Sequence, residues 1–191
     1  VRARLEPTQA DWGCVILMEV ATGEIKAMCN LDRGSDLQYY EIANHAVVRM
    51  EPGSTFKTIA MMAALDDGKV NIDDTMRVWK DGWYYHGATH RDAHPADTVY
   101  TMRQALAVSS NIALARMITD GYNGSAKKFV NKLKRMGLCD SIDYIIPGAH
   151  QPRINIPKDT VTISRMAYGY SVELSPLQIL TFYNGIANDG R

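Results

Sequence analysis

Residues 51–65 run EPGSTFKTIAMMAAL, with a serine at 54, a lysine at 57 and an almost wholly apolar continuation to Leu65. Three apart on a helix, two side chains share a face and can touch. At the first turn the backbone N–H groups lack intrahelical acceptors and the helix dipole is positive. A serine placed there can attack a carbonyl, with the Ser54 N–H receiving the developing oxyanion. Burial and the same positive field disfavour a charged lysine, so Lys57 would spend more time neutral and able to take the serine proton. Pro52 and Gly53 permit the sharp turn that presents the hydroxyl. A structural reading competes: an N-cap serine followed by a lysine that snorkels to solvent.

The spacing alone carries little, since about one S-x-x-K match is expected by chance in a chain of this length. A second copy is present, Ser125-Ala126-Lys127-Lys128. There the context favours a helix cap, with Phe129, Val130, Leu133 and Met136 on the apolar face and the lysines on the wet one. The cations from Lys127 to Arg135 read in the same way as a solvated face rather than a site for an acidic partner. Ser54 differs in two respects. Thr58 to Leu65 offer Lys57 no charged neighbour on its own helix, and Ser109-Ser110-Asn111 follows, interrupting a helical pattern with two hydroxyls and a carboxamide. A cap between two helices is the competing reading of that triplet.

P-G-S-T-F-K followed by S-S-N resembles the transpeptidase domain of penicillin-binding proteins, the serine D,D-transpeptidases that cross-link peptidoglycan. ATGEIKAM is similar to that family's hairpin before the nucleophile, ALAVSSNIALARM to the helix–loop–helix around its second motif. AYGYSVELSPLQILTFYNGIANDG resembles a later segment of the domain, and the Gly169-Tyr170 region looks most like monofunctional, division-type (class B) members. The resemblance implies that Ser54 is acylated, Lys57 takes its proton, Ser109 relays a proton to the departing D-alanine amine, and Asn111 holds the amide of the donor stem peptide or of a β-lactam. It implies neither metal nor cofactor. It further implies a place on the periplasmic side of the bacterial cytoplasmic membrane, an anchor preceding this chain, and division or elongation proteins as partners. The family's third motif, K-[S/T]-G, is not found in these residues, because Lys57-Thr58 is followed by Ile59. The chain is therefore expected to be a partial domain over 1–191, weak or inactive by itself while its parent is an enzyme, since one lost oxyanion donor costs ~10²–10³ in rate. Two other readings share the S-T-F-K motif or the fold. One is a class D-type β-lactamase or β-lactam sensor, whose members usually have a branched apolar residue where Asn111 stands. The other is a non-catalytic cell-wall scaffold.

Positioning these residues requires a framework. Residues 14–20 and 25–31 are apolar runs of strand length joined by Ala21-Thr22-Gly23-Glu24, which predicts a β-hairpin over 14–31. The first run is nearly continuous, which predicts a strand covered on both faces. The nucleophile helix is expected over 54–67, ending at Gly68. Residues 71–100 read as loops with short strands, and 101–190 as a helical lobe opened by a capping box at Thr101–Gln104 and including a Ser175-Pro176 helix start. The fold class is α/β (α+β): a helical lobe with an incomplete antiparallel sheet, whose exposed hairpin edge invites pairing.

Composition is that of a globular chain, 46% hydrophobic and 22% charged over 191 residues. Zero formal net charge does not favour nucleic acid, and no apolar stretch approaches the length of a membrane span. No membrane contact is expected within these residues. Cys14, Cys29 and Cys139 lack metal-ligand spacing; one bridge across the hairpin is open to Cys14 and Cys29, with free thiols the favoured state. His86, His90 and His94 recur every four residues but are flanked by Gly87 and Pro95, and read as surface loop histidines. Trp79, Trp83, Tyr84 and Tyr85 would either line a groove or pack a rim loop.

Overall fold

The computed structural model describes residues 1–140 and 146–190. The first fifty residues form α1 (Arg2–Leu5), β1 (Trp12–Met18), β2 (Ile25–Arg33) and β3 (Tyr39–Tyr40), then a 3-10 turn over His45–Val47. A second 3-10 turn, Gly53–Phe56, runs directly into α2 (Lys57–Asp66). Next come β4 (Thr75–Val78), β5 (Trp83–Tyr85), β6 (Ala88–His90) and β7 (Thr98–Thr101). The helices α3 (Met102–Ala107), α4 (Asn111–Gly121), α5 (Ala126–Arg135), α6 (Thr162–Met166) and α7 (Pro176–Ala187) follow. The chain divides into two compact units. One holds Val1–Met50, Ser141–Pro152 and Leu174–Arg191; the other holds Glu51–Asp140 and Arg153–Glu173.

In the first unit β1, β2 and β3 form an antiparallel sheet in that order. The hairpin turn is closed by the Glu19 N–H to the Glu24 carbonyl at 2.9 Å, with Gly23 at φ +72°, a conformation glycine adopts without steric cost. Among the described residues β1 pairs with β2 alone, so its outer edge is open. Val15 and Leu17 are 53% and 59% exposed, which corrects the expectation of a strand covered on both faces. The register places Cys14 opposite Asn30 and Cys29 opposite Val15. The two thiols therefore point to opposite faces of the sheet, and all three cysteines are free. Helix α7 opens with a capping box, Ser175 Oγ accepting from the Gln178 N–H while Gln178 accepts from the Ser175 N–H. It packs against β1 and the 45–47 turn.

The second unit is a helical core with two small two-stranded sheets, β4–β7 and β5–β6. Helix α2 buries Ile59, Ala60, Met61, Ala63 and Ala64 against α4 and α5. Fully apolar faces on α2 and α4 (Ile112, Ala113, Leu114, Ala115, Ile118) explain why the two lie side by side in the interior. Thr101 and Gln104 form the expected capping box of α3.

Two expectations fail in this unit. Lys132 is not on a wet face: it is 4% exposed, and its ammonium bridges Asp66 and Asp67 at the end of α2, where Arg135 also meets Asp67 at 3.1 Å. Its charge sits where the dipole of α2 is negative. His90 is not a surface histidine either, being buried at 3% exposure on β6, whereas His86 and His94 are exposed. Among the described residues no cluster of metal-binding side chains forms. The aromatic segment serves packing in part: the Arg116 guanidinium lies over the Trp79 ring at 5.1 Å, and Trp83 stacks on Tyr85.

Candidate active site

Pro52 turns the chain, Gly53 takes φ +56°, and the 3-10 turn that follows sets Ser54 at the amino end of a continuous helical segment reaching Asp66. Ser54 is exposed and Phe56, two residues on, is fully buried, so the turn is anchored by its core side and presents its hydroxyl outward. No side-chain cap closes this helix start. Among the described residues the Ser54 hydroxyl has no hydrogen-bond partner, leaving it free to meet an incoming group.

Lys57 begins α2 proper and is 1% exposed. Its Nζ donates to the Ser109 carbonyl at 2.5 Å and to Ser109 Oγ at 2.9 Å. Burial pushes its pKa down to about 8, against the opposing pull of the Asp92 carboxylate. Helical spacing predicts a contact between Lys57 and Ser54 across one face. The resting structure turns the amine toward the second motif instead, because a buried ammonium seeks the nearest acceptors and Ser109 offers two.

Ser109 adopts φ +56°, a left-handed conformation that a β-carbon disfavours. That twist is what allows one residue to turn both its carbonyl and its hydroxyl toward Lys57. Ser110 then caps α4, its Oγ accepting from the Ala113 N–H at 3.0 Å and donating to Asp92 at 2.8 Å. Asp92 also accepts the Ile112 N–H at 2.9 Å. Asn111, the first residue of α4, donates from Nδ2 to the Arg91 carbonyl at 2.8 Å. Among the described residues its Oδ1 has no protein donor, so the carboxamide is oriented on one side and free on the other. Thus Ser54, Lys57, Ser109 and Asn111 belong to one unit, with Lys57 and Ser109 in direct contact. Arg91 and Asp92, which sequence reasoning misses, hold the second motif in place. Their only signal in the sequence is a polar pair in a segment without period.

A third segment supports the nucleophile turn. Gly169 has φ +89°, and a β-carbon there would collide with the Gly53 backbone, its nitrogen only 2.7 Å away. Any other residue at 169 would have to move the turn carrying Ser54. Two residues on, the Ser171 N–H donates to Glu51 at 2.8 Å, holding the segment that leads into the same turn.

Comparison with known proteins places this geometry in context. Residues 13–191 match the family model described as the penicillin binding protein transpeptidase domain. The chain is 26% identical over 195 residues to the probable peptidoglycan D,D-transpeptidase PbpC of Pseudomonas aeruginosa, covering 95% of this chain and 33% of that protein. It is 27% identical to the probable peptidoglycan D,D-transpeptidase PenA of Neisseria flavescens, covering 95% and 46% respectively. It is 25% identical to the peptidoglycan D,D-transpeptidase FtsI of Buchnera aphidicola, covering 95% and 32%. The chain therefore spans less than half the length of these curated relatives. In fold it is similar to the apo transpeptidase domain of penicillin-binding protein 3 from Burkholderia pseudomallei, with a TM-score of 0.82 at 24% identity over 98% of this chain and 54% of that one. A peptidoglycan glycosyltransferase structure from Burkholderia ambifaria gives a TM-score of 0.81.

Proposed function

Since the chain belongs to the transpeptidase domain family of penicillin-binding proteins, we propose that its parent protein is a peptidoglycan D,D-transpeptidase with Ser54 as the acylated nucleophile. The observation that carries this reading is the Lys57 amine, buried, with a depressed pKa, and held by Ser109 within the unit that exposes Ser54.

The chemistry follows from these positions. In its neutral form Lys57 keeps two N–H bonds for Ser109 and has a lone pair left to take the Ser54 proton. The alkoxide attacks the carbonyl between the two terminal D-alanines of a donor stem peptide, and the Ser54 N–H faces the oxyanion. Ser109 receives a hydrogen bond from Lys57, so its own proton is free for the departing D-alanine amine, and the proton on Lys57 replaces it. Asn111 orients the donor through its unpartnered carboxamide oxygen. An acceptor amine then attacks the ester and restores Ser54. A β-lactam enters the same first step and stays attached, since its leaving amine remains tethered. The class B, division-type reading draws support from the Gly169-Tyr170 segment and from the similarity to FtsI and PenA. Such a protein works on the extracytoplasmic side of the membrane, beside division or elongation proteins.

Labelled penicillin and the full-length protein test this. A long-lived adduct on the peptide carrying Ser54, absent in Ser54→Ala, is the expected result. Rapid turnover of the adduct would instead make the protein a hydrolase, and no adduct at all would leave a scaffold.

A further inference from the structure

The His90 imidazole is a buried titratable group that the mechanism above does not use. The Ser164 hydroxyl donates to the Val161 carbonyl at 2.5 Å, so its oxygen is left to accept, and the His90 Nε2 lies 3.0 Å from it. This sets the proton on Nε2, and the unprotonated Nδ1 accepts the Tyr168 hydroxyl at 2.7 Å. The ring is thus neutral with both nitrogens engaged.

From the two ends of the His90–Tyr168 bond, short covalent paths lead to the site. One residue beyond His90 is Arg91, whose carbonyl holds Asn111, and the next is Asp92, which holds Ser110 and the Ile112 N–H. One residue beyond Tyr168 is Gly169, whose backbone abuts Gly53, followed by Ser171 on Glu51. One imidazole therefore joins the support of the second motif to the support of the nucleophile turn. We propose that His90 is a positioning residue for acylation, clamping these two supports so that Lys57, Ser109 and Ser54 keep their relative places. This rests on Ser54 being the nucleophile.

The groups around His90 are Tyr168, Ser164 and Arg165 from and after α6, the Trp83 ring at 5.5 Å from β5, and Arg91 and Asp92 following β6. Burial first, and then the Arg165 charge, hold the imidazole pKa below its ordinary 6.5. Protonation of Nδ1 would reverse the bond to Tyr168 and add a charge near Arg165, so the clamp loosens at the acid end.

The test follows acylation of the full-length protein by labelled penicillin from about pH 5 to about pH 9, with rates taken per acylable molecule so that lost fold does not count as lost rate. In the unaltered protein the rate falls with slope one below the Lys57 pKa and steepens at the acid end, where protonating His90 costs up to a further ~10-fold. His90→Phe is expected to react ~10-fold slower, a modest misplacement of reacting groups, and to lose the steepening. His90→Asn, which restores an acceptor near the Nδ1 position, recovers most of the rate. Tyr168→Phe removes a single hydroxyl and slows acylation about threefold, which decides the question if His90→Phe does not fold. Unchanged rates in both variants, or steepening that survives in His90→Phe, overturn the proposal. Failure of the unaltered protein to label Ser54 removes the nucleophile reading first and this one with it.

Discussion

At residues 54–57, and again at 125–128, a serine is followed three positions later by a lysine at the start of a helix. In the second copy Ser125 Oγ accepts the Lys128 N–H, and Lys128 is exposed. In the first, Ser54 caps nothing and Lys57 is buried against Ser109. The comparison extends to two buried lysines. Lys132 is held by Asp66 and Asp67, and these bonds raise its pKa against the effect of burial. Among the described residues Lys57 has only neutral acceptors in contact, and burial wins. Spacing places a serine and a lysine on one face; what they can do is set by whether the serine is spent on a cap and the lysine on a carboxylate.

The sharpest way to break this contrast is to remove each lysine in turn. Lys57→Met is expected to slow Ser54 acylation in the full-length protein by ~10²–10⁴, the range for losing a general base, while Lys128→Met changes it by less than about twofold. Comparable losses in both would mean that burial makes no difference. The pH dependence sharpens the same point. Only the neutral amine accepts a proton, and with a pKa of about 8 roughly a tenth of Lys57 is neutral at pH 7. Acylation should therefore rise about tenfold per unit up to the region of pH 8 and then level off. A flat profile across that range would mean another group takes the proton.

The first copy is legible in the sequence because its signals are local: a Pro-Gly turn, an apolar run and a companion motif at 109–111. The contacts that complete it are not legible. Asp92 reaches Ser110 and Ile112 from an upstream loop with no period to flag it. Lys57 reaches Ser109 rather than Ser54, a choice between acceptors that helix geometry does not decide. Amphipathic spacing misreads Lys132 as solvated because it ranks positions around one helix and says nothing of carboxylates at the end of another. Turn formers on either side of His90 suggest exposure, whereas it ends a three-residue strand paired with Trp83 and meets Ser164 and Tyr168 from a distant part of the chain. The apolar run of β1 suggests burial on both faces, but composition does not reveal which neighbours a strand has.

Lys132 offers the next test, in stability rather than rate. Lys132→Met leaves Asp66 and Asp67 without their shared cation, although Asp66 is largely exposed and keeps its hydration. A loss of about 1–2 kcal/mol is expected, less than for a fully buried pair, and thermal unfolding of the full-length protein would register it. The acylation rate per folded molecule should not change. If it fell as far as in Lys57→Met, the end of α2 would be part of the chemistry and the contrast between the two lysines would collapse.

The smallest effect concerns Ser125. Its cap bond to the Lys128 N–H is long, 3.4 Å, so Ser125→Ala should cost about 0.5–1 kcal/mol, the low end for an N-cap. Ser125→Asp should return that stability, because a carboxylate both accepts the free N–H groups and favours the positive helix end. Replacing Ser54 by Asp should give a smaller gain, since no cap bond is restored there and only the attraction to the helix end is added. Equal stabilisation by aspartate at both positions, measured by chemical unfolding, would show that Ser54 sits in an ordinary helix start after all.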